Sequence, residues 1–269
     1  MALPLTLLVD NGSLEPAATL ALRDLAARLS AKIGQPVEAV SLLHSSAIDP
    51  KLLGGKPAEI LFPALERRLA AGQNDFLVLP LFFGPSRALT EYIPENLARL
   101  RAKFPALQLK VAAPLHAAGD DRLARILADQ AAAELASFKA GRIVVVDHGS
   151  PVQAVTAVRN DLAQQLSRRL GPSVAVSPAS MERRAGSEFD FCNPLLSDLL
   201  ATPPWNAGRV LVAMQFLLPG RHAGPDGDVA KICQAAEAAH PGLKTRMTSL
   251  VGEHPLLIEI LADRWRESL

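Results

Sequence analysis

The chain has 269 residues, 49% of them hydrophobic, with a net charge of +1. That length fits one large domain or two ordinary ones with ample buried cores. The charge supplies no global field for nucleic acid or an anionic membrane. The two cysteines, Cys192 and Cys233, show no CxxC spacing, so neither a disulfide framework nor a zinc knuckle is expected. No apolar run approaches a membrane span. The opening "MALPLTLLVD" lacks a basic n-region and a cleavage site and reads as a first strand. The expectation is a soluble, cytoplasmic protein with no nucleic-acid or membrane partner.

In chain order, strands are predicted near residues 3–9, 37–43, 76–83 and 107–113, and helices near 16–33, 57–72, 91–103 and 120–138. The first helix keeps Leu22, Leu25, Leu29 and Ile33 on one face and stops at Gly34. After the linker "ASFKAG" (Ala136–Gly141) the pattern returns. Strands fall near 142–147, 173–179, 209–217 and 243–249, and helices near 152–170, 193–201, 228–239 and 255–267. In the matching helix Val155, Val158, Leu162, Leu166 and Leu170 form the apolar face, and Gly171 ends it. Strict alternation of strand and helix implies parallel sheets covered by helices, and runs such as "RIVVV" suit strands buried on both faces.

The recurrence extends to the residues themselves. "LVDNGS" (Leu8–Ser13) returns 137 residues later as "VVDHGS" (Val145–Ser150), with Asn11 replaced by His148. "VLPLFFGPSRA" (Val78–Ala88) lies over "LVAMQFLLPGRH" (Leu211–His222), so that Arg87 meets Arg221 and Ala88 meets His222. "ILAD" occurs at Ile126 and again at Ile260. Self-similarity of this kind marks an internal duplication. The expected fold class is α/β: two similar lobes, each a parallel sheet with flanking helices, with domains at 1–138 and 139–269.

Ligands of such sheets sit beyond the carboxyl ends of the strands. Both DxGS turns and both later turns lie at that edge, and they are expected to face one cleft. His148 and His222, after the first and third strands of the second lobe, are a candidate pair. Neutral imidazoles can bind a divalent metal, and one can act as a base near neutral pH. Turn histidines that are merely hydrogen-bonded are the plain alternative. Ser150 or Asp147 can orient the His148 ring.

Glu182, just past the second strand of that lobe, can complete a metal site or accept a proton; otherwise it is an acid near a helix start. The equivalent region of the first lobe, "SLLHSS", offers no acid but supplies His44, for which a structural role is expected. Asp226 and Asp228 stand close to His222. Either can back that ring, and for Asp228 a helix cap is the preferred reading.

Arg183, Arg184 and Arg221, with Arg87 in the opposing loop, would suit a polyanionic ligand with carboxylates if they are more than solvated surface arginines. His116, His240 and His254 carry no partner pattern. No Walker loop, GxGxxG, GxSxG or HExxH sequence is present, which argues against nucleotide hydrolysis and serine catalysis. A nucleotide-binding α/β protein would need a glycine-rich phosphate loop, of which DHGSP is only a weak version.

"VVVDHGS", the following glutamate and "LLPGRHAGPDGD" resemble the class II tetrapyrrole chelatases, the sirohydrochlorin cobaltochelatases and ferrochelatases of cobalamin and sirohaem synthesis. The resemblance covers nearly the whole chain as a two-lobed form. It implies a lyase-type enzyme that inserts Co2+ or Fe2+ into sirohydrochlorin or a related polycarboxylate tetrapyrrole. The metal is then a substrate, and no further cofactor is needed. It further implies that His148 and His222 hold the metal or take pyrrole protons, and that Glu182 assists. Arg183, Arg221, Arg87 and Ser150 then line the ring.

Two departures stand out. The first lobe has Asn11 and Ala88 in place of the histidines, so only the second lobe can carry the site. "HAGPDGD" is also longer than the family's acidic turn. One ring receiving one metal needs a single histidine pair, and a monomer suffices to supply it. The rival reading is a non-catalytic metal or tetrapyrrole carrier on the same scaffold.

Overall fold

The computed structural model describes residues 3–269. The first sheet is built from β1 (Leu5–Asp10), β2 (Val37–Ser41), β3 (Asp75–Pro80) and β4 (Gln108–Val111), in the order β2-β1-β3-β4. The second repeats it with β5 (Arg142–Asp147), β6 (Ala175–Ser180), β7 (Gly208–Met214) and β8 (Leu243–Met247), in the order β6-β5-β7-β8. Every pairing is parallel. The α/β class with two similar parallel sheets is therefore as the sequence indicates. β1 and β5 are inner strands, as are β3 and β7, and Leu7–Val9 and Ile143–Val146 are fully buried, which is why those stretches run apolar without alternation.

Helices α1 (Pro16–Ile33), α2 (Leu61–Ala70) and α3 (Ile93–Lys103) accompany the first sheet. Helices α5 (Gln153–Leu170), α6 (Leu196–Leu200) and α7 (Asp228–Ala239) accompany the second. α1 starts on Pro16, whose missing N–H costs nothing in the first turn, and ends at Gly34 in the left-handed conformation (φ 67°), whose N–H bonds Ser30 O. A π-helical turn, Ala88–Tyr92, leads into α3. Each sheet packs one face on an apolar cluster, Leu7, Val9, Val40, Leu61, Leu65 and Phe76 in the first and Val144, Val146, Leu196, Val212 and Val229 in the second.

The compact units interleave the sequence halves. One contains residues up to Ala117 together with Ile258–Leu269; the other is Ala118–Leu257. Helix α4 (Arg122–Phe138), from the first half of the sequence, packs with β7 and α5. Its Gln130 Nε2 donates to Leu250 O at 2.8 Å, and its Glu134 pairs with Arg246 at 2.9 Å. Helix α8 (Leu256–Glu267), from the second half, returns to the first sheet from Ile258 onward. There Trp265 Nε1 donates to Thr6 Oγ1 at 2.9 Å, and Arg264 donates to the Pro114 and Leu115 carbonyls. Thr6, Arg264 and Trp265 are all buried. The two "ILAD" helices are thus exchanged between the units.

Candidate active site

The second unit carries its candidate residues on the turns that follow β5, β6 and β7. Gly149 adopts φ 93°, and a Cβ there would lie 1.9 Å from Glu182 O, so only glycine permits the approach. The two segments are stitched by Met181 N–H to Asp147 O at 2.8 Å and Glu182 N–H to His148 O at 3.1 Å. The first unit builds the same corner with Gly12 at φ 89° and Leu43 N–H bonded to Asn11 O. Asn11 therefore stands where His148 does, and Leu43 where Glu182 does.

His148 and His222 come together, ring centroids 4.6 Å apart and planes at 75°. His148 Nδ1 lies 2.9 Å from the Gly149 carbonyl, which can only accept, so in the neutral ring Nδ1 carries the proton and Nε2 the lone pair. That Nε2 lies 3.5 Å from Glu182 Oε1. His222 Nδ1 lies 2.7 Å from Asp228 Oδ2. An ionised carboxylate also only accepts, so the neutral form of the second ring presents an Nε2 lone pair as well. The hydrogen bond from His222, helped by Arg221 and Lys231, holds the Asp228 carboxyl below its usual range.

Asp228 corrects the preferred reading of that residue as a cap. Gly227 occupies the N-cap of α7 without a side-chain cap, and Asp228 is the first helical residue, aimed back at His222. The loop closes because Val229 N–H reaches His222 O at 3.3 Å and Asp228 N–H reaches Arg221 O at 3.2 Å. The expected orienting role of Ser150 or Asp147 is also corrected. Ser150 Oγ accepts from Val152 N–H at 3.1 Å, Asp147 bonds Ser180 Oγ at 2.8 Å, and the His148 Nδ1 contact goes to Gly149 O.

Glu182 is more than half exposed and has its carboxylate at His148. Arg183 turns back on its own loop, donating to the Arg184 and Gly186 carbonyls and facing Asp190 at 3.3 Å. Arg221 is 78% exposed and lies 3.6 Å from Asp228. In the first unit Arg87 pairs with Glu91 at 3.3 Å. His44, at φ 66°, precedes the 3-10 turn Ser45–Ala47 and is exposed. Asp226 is exposed. His254 accepts from Leu256 N–H and faces Asp129, a structural arrangement. Cys192 and Cys233 are free and buried, and burial pushes the Cys233 thiol up to about 11. Among the described residues no group of three or more His, Cys, Asp or Glu side chains is arranged to hold a metal ion, and no helix is long and apolar enough to cross a membrane.

The CbiX family model matches the chain twice, over residues 5–134 and 142–268. The chain belongs to the CbiX family. Its two matched segments are the two copies of the duplication, and the family agrees with the resemblance read from the sequence. Among solved structures, this CbiX-family chain is similar to SirB from Bacillus subtilis with Fe3+, with a TM-score of 0.72, 18% identity, and coverage of 99% of this chain and 95% of that one. It is similar to the sirohydrochlorin chelatase SirB from Bacillus subtilis subspecies spizizenii in complex with cobalt, with a TM-score of 0.69, 18% identity, and the same coverage. It is also similar to CbiX, described as the terminal enzyme for biosynthesis of siroheme in denitrifying bacteria, with a TM-score of 0.63, 20% identity, and coverage of 98% and 99%. A comparison with curated proteins finds no match. At these identities the structures establish a shared fold.

One buried residue of this CbiX-family chain escaped the sequence reading. Arg159, on α5, is 1% exposed and donates to Ser180 Oγ and, at 2.8 Å, to Cys192 O. The signal was present in the duplication: the equivalent position of α1 is Leu22, so one copy placed a cation on an otherwise apolar face.

Proposed function

We propose that this chain is a sirohydrochlorin chelatase, inserting Co2+ or Fe2+ into a polycarboxylate tetrapyrrole, with His148, His222 and Glu182 as its working residues. The single observation that carries this is the His148–Glu182 contact within the histidine pair. An Nε2 lone pair and a carboxylate oxygen face each other at 3.5 Å. Two acceptors so placed need a proton or a cation between them. Two ligands each bonded to one metal at ~2.1 Å lie roughly 3.0–3.4 Å apart, for right-angled or tetrahedral geometry. The corner therefore suits both tasks of metallation: lodging an incoming divalent ion and taking a proton from a pyrrole nitrogen.

Metallation removes two N–H protons from the ring and exchanges solvent on the metal for ring nitrogens. His222, backed by Asp228, is the better fixed ligand of the pair. His148 and Glu182, adjacent and exposed, are placed to accept and pass on protons. Two imidazoles without a further protein cage hold the ion loosely, as insertion requires, because a substrate metal must leave. The metal needs no companion cofactor in this scheme. Arg183, Arg221 and Ser150, in the same unit as the histidines, are assigned to the ring's carboxylates. The second sequence half, 139–269, carries the chemistry; the first, 1–138, has Asn11 and Ala88 at the positions of the two histidines.

The test is metal insertion followed by the absorbance change of the ring. Wild-type protein metallates sirohydrochlorin, while His148→Ala and His222→Ala each lose about a hundredfold or more. Both side chains are partly exposed, so the fold survives. Full activity in both variants would remove the assignment.

A further inference from the structure

Each unit buries one carboxylate at the end of its first strand, Asp10 in one and Asp147 in the other, with a serine beside it, Ser41 or Ser180. What faces the carboxylate differs. α1 and α5 each have 18 residues, and their seventh residues are Leu22 and Arg159, both 1% exposed. In the second unit the guanidinium lies 3.7 Å from Asp147 Oδ1 and bonds Ser180 Oγ and Cys192 O. Cys192 Sγ in turn donates to Ser150 O at 3.2 Å. In the first unit one Asp10 oxygen is buried with no hydrogen-bond partner.

Only the half with the histidines has the arginine. We propose that Arg159 is a positioning residue: it ties together the strand end that precedes His148, the strand end that precedes Glu182, and the turn that supports Ser150, and so fixes the His148–Glu182 spacing. The proposal rests on the chelatase reading. It acts through three anchors. Asp147 sits one residue before His148, Ser180 sits two before Glu182, and Cys192 reaches the DHGS turn by its own sulfur–carbonyl contact. All three are met by one nitrogen, Nη1, while Nε and Nη2 both donate to Asn160 Oδ1 and so fix the direction of the planar guanidinium, which a flexible ammonium on a lysine stem would not match. The first half has Asn11, Leu43 and Leu22 where the second has the histidine, the glutamate and the arginine, while the buried acid and its serine stand in both.

The difficulty for any test is that Arg159 is also buried opposite Asp147, so removing it alone strands a buried carboxylate. Removing both charges of such a pair is commonly tolerated. Arg159→Leu, the residue of the first half, is therefore compared with the double variant Arg159→Leu, Asp147→Asn. The single variant is expected to lose thermal stability and about 10- to 100-fold in kcat. The double variant is expected to regain the stability but not the kcat, with KM for the ring unchanged. Co2+ binding to the protein alone, measured well below every melting temperature, is expected to weaken by a similar factor of about 10–100 in the double variant.

If kcat returns with stability, or Co2+ affinity is unchanged, Arg159 is merely structural and the proposal is overturned. A wild-type protein that inserts no metal overturns the chelatase reading instead, and the Co2+ affinities still decide whether Arg159 sets the corner.

Discussion

His222 donates from Nδ1 to Asp228 Oδ2 at 2.7 Å, across a loop that turns back on the first residue of its own helix. The contact fixes both the tautomer and the direction of the ring. Asp228→Ala is expected to lower metal insertion by about 10- to 100-fold. Asp228→Asn, whose amide oxygen still accepts from Nδ1, is expected to lose less. Equal loss in both variants would mean that the carboxylate's charge, not its hydrogen bond, matters. The carboxylate lies on the surface side of the helix start, so melting temperatures stay close to wild type in either case.

Asp10 makes the first unit sensitive to pH. Burial raises its carboxyl from 3.8 to about 6, against the pull of Ser41 and nearby backbone groups. The folded value exceeds the unfolded one, so the unfolded chain loses its proton first. This acid therefore costs nothing below 3.8, and its cost grows between 3.8 and about 6 and remains above that. The difference corresponds to about 3 kcal/mol. Asp10→Asn is expected to stabilise the protein near neutral pH by up to that amount and to change little near pH 4, as read from urea midpoints. A variant less stable than wild type at neutral pH would show that the ionised carboxyl is favourably solvated.

The exchanged helices predict where the unit boundaries lie. Trp265, from the second sequence half, is 8% exposed and bonded to Thr6 of the first strand. Trp265→Ala is expected to cost about 3–5 kcal/mol. Hydrogen exchange is expected to rise across the first sheet before the second. Protection lost first in β5–β8 would contradict the exchange.

Strands and helices were legible where an apolar run or a helical period ends at a clear stop, as the Leu22, Leu25, Leu29 face of α1 ends at Gly34. The site was legible for a different reason. A duplication makes a chain its own comparison, so the histidine at 148 against Asn11 and the histidine at 222 against Ala88 stood out. The exchange of α4 and α8 was not legible, since both helices carry the same "ILAD" pattern and nothing local marks which sheet each covers. Asp228 was misread because an acid at a helix start usually caps, and nothing local reveals that its side chain turns toward a residue six positions earlier. Arg159 reads as one polar residue on an amphipathic helix until Leu22 is set beside it.

The central claim is that this histidine corner turns over metal and ring. The direct measurement is anaerobic incubation of the wild-type protein with excess sirohydrochlorin and Co2+ or Fe2+, followed by absorbance. Metallated ring is expected well beyond one equivalent per chain, with the His148→Ala and His222→Ala proteins close to the uncatalysed rate. Binding that stops at one ring or one metal per chain, with no excess converted, would contradict it and identify a carrier.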